Sequence, residues 1–130
     1  MSKEHILILG AGPGGYSAAF YAADQGYKVT LVDETDKLGG VCLHKGCIPS
    51  KALLHIAKLI AETRQVKEWG INFHEPSIDI GHLRHWKDGI ISKMSNGLIR
   101  LCKKRGVDFV NGRGKFKNSN TIIFSDGNLI

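Results

Sequence analysis

The segment HILILGAGPGG, residues 5–15, decides the fold of this chain. Its first five residues form an apolar run that ends at Gly10, which predicts a buried strand. The Ala-rich residues 14–25 that follow favour a helix, and Gly26 is a natural stop. Residues 28–33, KVTLVD, predict a second strand, and strand, helix, strand in this order form a βαβ unit. We therefore predict an α/β fold with a parallel sheet flanked by helices.

The glycine-rich turn in this segment matches the pattern G-x-G-x-x-G between a strand and a helix. Gly10 would permit the tight turn, Gly12 would let the backbone approach a pyrophosphate, and Gly15 would let helix and strand pack closely. The free N–H groups at the start of the helix would face the phosphates. Asp33 ends the second strand, where a carboxylate accepts hydrogen bonds from a ribose. The pattern predicts a dinucleotide site without separating FAD from NAD, and a glycine turn of another α/β protein stays open.

The remainder of the chain predicts further regular structure. Helical spacing of apolar residues predicts helices from Pro49 to about Glu68 and from Asp79 to Arg105, with Gly106 as the stop. Short β-rich runs predict three strands, at residues 107–110, 115–116 and 121–124. The chain stops where another strand begins, so we expect it to be part of a longer protein.

The composition limits the class of protein. Of the 130 residues, 42% are hydrophobic and 23% charged, which is typical of one soluble domain. No apolar run approaches the roughly 18 residues of a membrane span, and the start of the chain lacks a signal-peptide core. The net charge of +6 is scattered except at residues 103–105, a predicted helix end where cations complement the dipole. We expect a cytoplasmic protein that binds neither membranes nor nucleic acid.

Two of the three cysteines, Cys42 and Cys47, are separated by four residues. A disulfide closing so small a ring stabilises a fold by only about 2 kcal/mol in the loop-entropy model. In a reducing cell such a pair is better explained as a redox centre than as a structural bond. Cys47 precedes Pro49 at a predicted helix start, whose positive end, with Lys45 and Lys51 nearby, would favour the thiolate.

Two other interpretations of the cysteines stay open. Cys42 and Cys47 could bind a metal together with His44 and His55, although the chain lacks the second cysteine pair of common zinc sites. They could also be unpaired thiols packed as small hydrophobic side chains, which is what we predict for Cys102. We predict no metal site.

The glycine loop and residues 39–51, GGVCLHKGCIPSK, together resemble the pyridine nucleotide–disulfide oxidoreductases. This segment matches the family pattern G-G-x-C-x-x-x-G-C-[IV]-P-[SK]-K throughout, and residues 110–116, VNGRGKF, match another family segment. The likeness covers essentially the whole chain. It implies that residues 1–130 are the amino-terminal part of a Rossmann-like FAD-binding domain, with the NAD-binding and dimerisation domains absent from this chain.

The resemblance also implies roles for particular residues. Cys42 would exchange with the substrate, Cys47 would lie beside the flavin ring, and Lys51 would lie near the flavin edge. The implied FAD contacts are Gly10, Gly12, Gly14, Gly15, Asp33, Glu34, Gly39, Gly40, Val41, Cys42, Lys51 and Gly114.

Within the family, residues 47–55, CIPSKALLH, are most similar to members that oxidise dihydrolipoyl groups. This implies oxidation of protein-bound dihydrolipoamide through the Cys42–Cys47 disulfide and FAD, with NAD⁺ as the final acceptor. The implied partners are lipoyl domains of 2-oxo acid dehydrogenase complexes and a second copy in a homodimer. The 130 residues alone are expected to be inactive. A glutathione or mercuric reductase, or a non-catalytic nucleotide-binding module, stays open.

The chain departs from the family pattern at two places. Asp33 stands where the family usually has Glu, one methylene longer. His44 and Lys45 stand between the cysteines where Asn and Val are more usual. Both departures lie in variable parts of the motifs, so we expect them to leave the chemistry intact.

Overall fold

The computed structural model describes residues 4–130, and its centre is a three-stranded parallel sheet. The strands are β1 (His5–Leu9), β2 (Lys28–Asp33) and β3 (Asp108–Asn111), in the order β1-β2-β3. The four inner residues of the central strand β2 are buried, as expected for a strand that is covered on both faces. The predicted parallel sheet with flanking helices is confirmed.

Residues 4–130 also form four α-helices. Helix α1 (Pro13–Asp24) connects β1 to β2, and the long helix α4 (Ile80–Arg105) leads into β3. The short α2 (Gly40–Lys45) and the long α3 (Cys47–Gln65) pack on each other and on α4, and a 3₁₀ turn follows α3. The hydrophobic core lies between α1, α4 and the sheet and comprises Ala11, Ala19, Val29, Leu31, Leu38, Cys102 and Val107.

A two-stranded antiparallel sheet follows the parallel one, formed by β4 (Gly114–Asn118) and β5 (Thr121–Phe124). Residue Ile130 exchanges two backbone hydrogen bonds with Ile122 of β5, at 2.9 and 3.0 Å. Strand pairing therefore continues to the last residue. In the part of the chain that the structure describes, no helix is long and apolar enough to cross a membrane.

The helix boundaries differ from the prediction around the cysteines. Helix α3 begins at Cys47 and not at Pro49, because a proline within the first helical turn removes only an N–H that has no helical partner. Residues 40–45 form α2, a helix of six residues that the sequence did not predict. The segment is shorter than two helical turns and has glycine on either side, so its apolar residues show no helical periodicity.

Candidate functional site

The glycine loop between β1 and α1 leaves no room for a side chain at Gly15. The N–H of Gly10 donates to the carbonyl of Val32 at 2.7 Å, and Gly10 has a φ of 103°, which favours glycine. A Cβ added at Gly15 would lie 1.7 Å from the carbonyl oxygen of Gly10. The loop therefore lies directly against the first turn of α1.

The amino terminus of α1 has backbone donors available for a ligand. Within the described residues, no side chain caps this end, and its first turn holds no acidic residue. The first N–H groups of a helix have no partner inside the helix, and the helix dipole gives this end a positive potential. These donors form a site suited to an anion such as a pyrophosphate.

The turn at Gly39 and Gly40 packs against this glycine loop. The N–H of Gly39 donates to the carbonyl of Ala11 at 3.0 Å. Gly39 and Gly40 have φ values of 122° and 61°, and a Cβ at Gly40 would lie 2.6 Å from the Cα of Gly12. The structure thus brings together the two motifs that the sequence treats separately, and α2 starts beside the loop.

The Asp33 carboxylate ties the end of β2 to the glycine loop. One oxygen accepts from the N–H of Ala11 at 2.7 Å, and the other accepts from the N–H and hydroxyl of Thr35 at 2.9 and 2.7 Å. Partial burial pushes the pKa of Asp33 upward. The hydrogen bonds from Ala11 and Thr35, with the positive potential of His44, outweigh that effect and hold this pKa below its ordinary value.

Replacing Asp33 by Asn should lower the free energy of unfolding near pH 7 by about 1 kcal/mol, since charged hydrogen bonds are lost at a partly exposed site. The folded-state pKa of Asp33 is depressed, so its contribution is present above the unfolded pKa near 4 and is lost as the pH falls through the folded value. Denaturant unfolding at pH 7 and at about pH 3 measures this. A difference between parent and Asp33→Asn that stays constant over this range would contradict it.

A cavity of about 250 Å³ opens beside Asp33 at the carboxyl ends of β1 and β2. Its lining is Leu9, Gly10, Asp33, Glu34, Gly112, Arg113 and Gly114. Four of these residues are among the twelve predicted FAD contacts. Sequence reasoning missed Arg113, whose Nε lies 3.8 Å from the Glu34 carboxylate, although the matched segment at 110–116 contains it.

Cys42 on α2 and Cys47 at the first position of α3 lie side by side. Both are free thiols, Cys42 half-buried and Cys47 exposed. The pKa of the Cys42 thiol is raised, first by its hydrogen bond with the Cys47 thiol and then by desolvation and by the negative potential of Cys47. The backbone N–H of Cys47 and the charge of Lys51 act in the opposite direction.

The start of α3 also affects Cys42. The first N–H of α3 belongs to Cys47, and its hydrogen bond to Cys42 acts to lower the pKa of that thiol. The thiolate character predicted for Cys47 stays a prediction.

His44 and Ser95 hold the segment that precedes α2. Nε2 of His44 and the hydroxyl of Ser95 each donate to the carbonyl of Leu38, both at 2.9 Å. His44 thus supports the loop and α2. In the described part of the chain, no group of three or more His, Cys, Asp or Glu residues could hold a metal ion. Cys102 is buried in the core, as predicted, and burial raises its pKa.

A groove of about 540 Å³ runs beside Cys42 between α1, α2, α3 and α4. Apolar side chains supply most of its wall, among them Tyr16, Leu43, Ile48, Leu98 and Leu101. Sequence reasoning did not identify this groove, because nothing in the spacing of α4 shows which segment it packs against.

Comparison with known proteins places this site in a family. The model of the pyridine nucleotide-disulphide oxidoreductases matches residues 4–129. The dihydrolipoyl dehydrogenase of Vibrio cholerae is 51% identical over 125 residues, which are 94% of this chain and 26% of that protein. The dihydrolipoyl dehydrogenase of Haemophilus influenzae is 46% identical over 129 residues, 97% of this chain and 27% of that protein.

Solved structures have the same fold. The crystal structure of LpdA from Mycobacterium tuberculosis aligns with a TM-score of 0.80 at 28% identity, covering 97% of this chain and 29% of that chain. The flavoprotein disulfide reductase RclA from Escherichia coli aligns with a TM-score of 0.72 at 22% identity, covering 93% of this chain and 24% of that chain.

The chain belongs to the pyridine nucleotide-disulphide oxidoreductase family, as its two motifs predicted. Its similarity to dihydrolipoyl dehydrogenases, also predicted, is confirmed by relatives from Vibrio cholerae and Haemophilus influenzae. The chain spans about a quarter of the length of these relatives.

Proposed function

We propose that this chain is the amino-terminal part of the FAD-binding domain of a longer disulfide oxidoreductase, which oxidises protein-bound dihydrolipoamide with NAD⁺. One observation carries the proposal. The hydrogen bond from Gly39 to Ala11, with the close contact of Gly40 and Gly12, joins an anion-binding helix terminus to a pair of thiols. A module that only binds nucleotides has no need of Cys42 and Cys47 at this place.

In this proposal FAD extends from the cavity beside Asp33 past the start of α1 to the cysteines. The cavity beside Asp33, Glu34 and Gly114 suits the adenosine end, where carboxylate oxygens can accept from ribose hydroxyls. The open N–H groups of α1 suit the pyrophosphate. The path then leads to the flavin end through Gly12, Gly14, Gly15, Gly39, Gly40, Val41, Cys42, Cys47 and Lys51.

The cysteines perform the exchange with the substrate. When they form a disulfide, a substrate thiolate attacks Cys42, and the S–S bond to Cys47 breaks. The second substrate thiol then displaces Cys42, so the substrate gains an S–S bond and the protein keeps two electrons on two thiols. Bound FAD would accept these two electrons and pass them to NAD⁺. The N–H of Cys47 and the charge of Lys51 act to lower the pKa of Cys42, but the Cys47 thiol and desolvation outweigh them and leave this pKa raised.

The groove beside Cys42 suits an aliphatic dithiol. Its apolar wall, with Leu98 and Leu101 from α4, would cover a hydrocarbon chain while the sulfur atoms reach Cys42. Similarity to dihydrolipoyl dehydrogenases supports the same substrate class. We accordingly propose lipoyl domains of 2-oxo acid dehydrogenase complexes as partners, a homodimer as the assembled form, and the cytoplasm as its location.

The test uses the full-length protein that the proposal implies. Purified protein should show flavin absorption, gain a long-wavelength band on two-electron reduction, and oxidise dihydrolipoamide with NAD⁺. A colourless full-length protein would support a binding module instead. Faster turnover of glutathione disulfide or mercuric ion would point to the other reductases of the family. Dihydrolipoamide oxidation by the 130 residues alone would contradict the need for further domains.

A further inference from the structure

Two cations near the end of α4 have no part in the proposed exchange reaction. Arg100 and Lys104 are four residues apart, so they lie on one face of the helix, and both border the groove beside Cys42. Both side chains are exposed. Neither has an ion-pair partner among residues 4–130, whereas the neighbouring Arg105 is paired with Asp24 at 2.9 Å.

The packing of α4 on α1 shows which end of the groove Lys104 borders. Arg105 contacts both Phe20, 5.1 Å from its guanidinium, and Asp24, so the end of α4 lies beside the carboxyl-terminal half of α1. Pro13, at the other end of α1, borders the groove near Gly39. Lys104, next to Arg105, is thus at the end of the groove away from the start of α1.

As far as the structure describes the chain, the groove holds no negative charge that would balance Arg100 and Lys104. No acidic residue of the described chain lines the groove, and the rest of its wall carries no charge. Two exposed cations without an ion-pair partner among the described residues attract an anion that approaches from solvent. In physiological salt this electrostatic attraction is screened over a distance of about 8 Å. The two cations therefore supply the charge of a groove whose remaining wall is uncharged.

We propose that Arg100 and Lys104 form a cationic rim that recognises an acidic surface on the protein domain that carries the dithiol. This inference rests on the proposed function, because the groove must accept a dithiol arm for the rim to meet its carrier. The arm occupies the apolar wall, and the carrier's carboxylates meet the rim. Charged rims of this kind act mainly on association rate and partner choice.

The experiment compares substrates with the full-length protein and its Arg100→Glu/Lys104→Glu variant. The substrates are an acidic lipoyl domain in its reduced form, neutral dihydrolipoamide and anionic dihydrolipoate. We expect kcat/KM for the domain to fall about tenfold, mostly through KM, and its dependence on salt to weaken. The fall with dihydrolipoamide should be much smaller. Lys103→Glu makes the same charge change as the single variant Lys104→Glu, but on an exposed residue that does not border the groove, and it should behave as the parent.

Three results would overturn the cationic rim. Equal losses with the domain and with dihydrolipoamide would mean that the substitutions damage the groove. A loss confined to dihydrolipoate would assign the cations to the carboxylate of a small substrate. Equal effects of Lys103→Glu and Lys104→Glu would mean that only the net charge of the protein matters, and not the position of the cation. A parent protein that does not oxidise dihydrolipoamide would instead reject the proposed function itself.

Discussion

Replacing Cys42 or Cys47 by serine in the full-length protein is expected to lower the rate of dihydrolipoamide oxidation by at least about 10³-fold. In the proposed exchange each sulfur is indispensable, since a hydroxyl cannot form the disulfide that would take two electrons from the substrate. The two thiols lie close enough to share a hydrogen bond, so they act as one unit and the losses should not add in the double variant. The rate of NADH formation measures the effect.

Cys102 provides a matched control for these variants. It is also a free thiol, but it is buried in the core between α4 and the sheet. Cys102→Ala should lower the free energy of unfolding by about 1 kcal/mol and leave turnover near that of the parent. A Cys42→Ser variant that keeps a tenth or more of the parent rate would show that the exchange does not pass through this pair.

Gly15→Ala is expected to destabilise the protein by about 3 kcal/mol or more and to abolish its FAD content. The added methyl group would lie 1.7 Å from the Gly10 carbonyl oxygen, so α1 must move away from the strand. That movement would pull the donors of the helix terminus out of line with a pyrophosphate. Denaturant unfolding of the apoprotein and flavin absorbance per chain measure the two effects.

Gly14→Ala is the matched control for stability. It makes the same substitution one residue earlier in α1, where no atom of the described chain lies within 4 Å of the added Cβ. Because alanine favours the helix, Gly14→Ala should leave the free energy of unfolding unchanged or raise it by up to about 1 kcal/mol. If Gly15→Ala unfolded at the same denaturant concentration as Gly14→Ala, the tight packing of loop and helix would be refuted.

The sequence predicted the features that depend on local pattern. The apolar run before Gly10, the Ala-rich helix and the strand ending at Asp33 each carry their own periodicity and stop signals, so β1, α1 and β2 appear close to where they were expected. The predicted end of α4 at Gly106 also holds, because its φ of 67° favours glycine.

The features that escaped prediction depend on contacts between distant segments. Nothing local indicates that Gly39 would donate to Ala11, or that Leu38 would accept from Ser95 on α4. The direction of the first N–H of α3 toward Cys42 also depends on how α2 and α3 meet at Gly46. These hydrogen bonds depend on how the helices pack and on which side chains can contact a distant segment. Neither can be inferred from the spacing of residues in the sequence.

The contact between Gly12 and Gly40 couples two separate stretches of sequence in one direction. A Cβ at Gly40 would lie 2.6 Å from the Cα of Gly12, whereas a Cβ at Gly12 would lie 4.0 Å from the Cα of Gly40, which is an ordinary contact distance. A chimaera that takes its glycine loop from one relative and its cysteine segment from another must therefore keep the glycine at position 40. Recombination between these stretches is tolerated only where the parent that supplies the cysteine segment has that glycine.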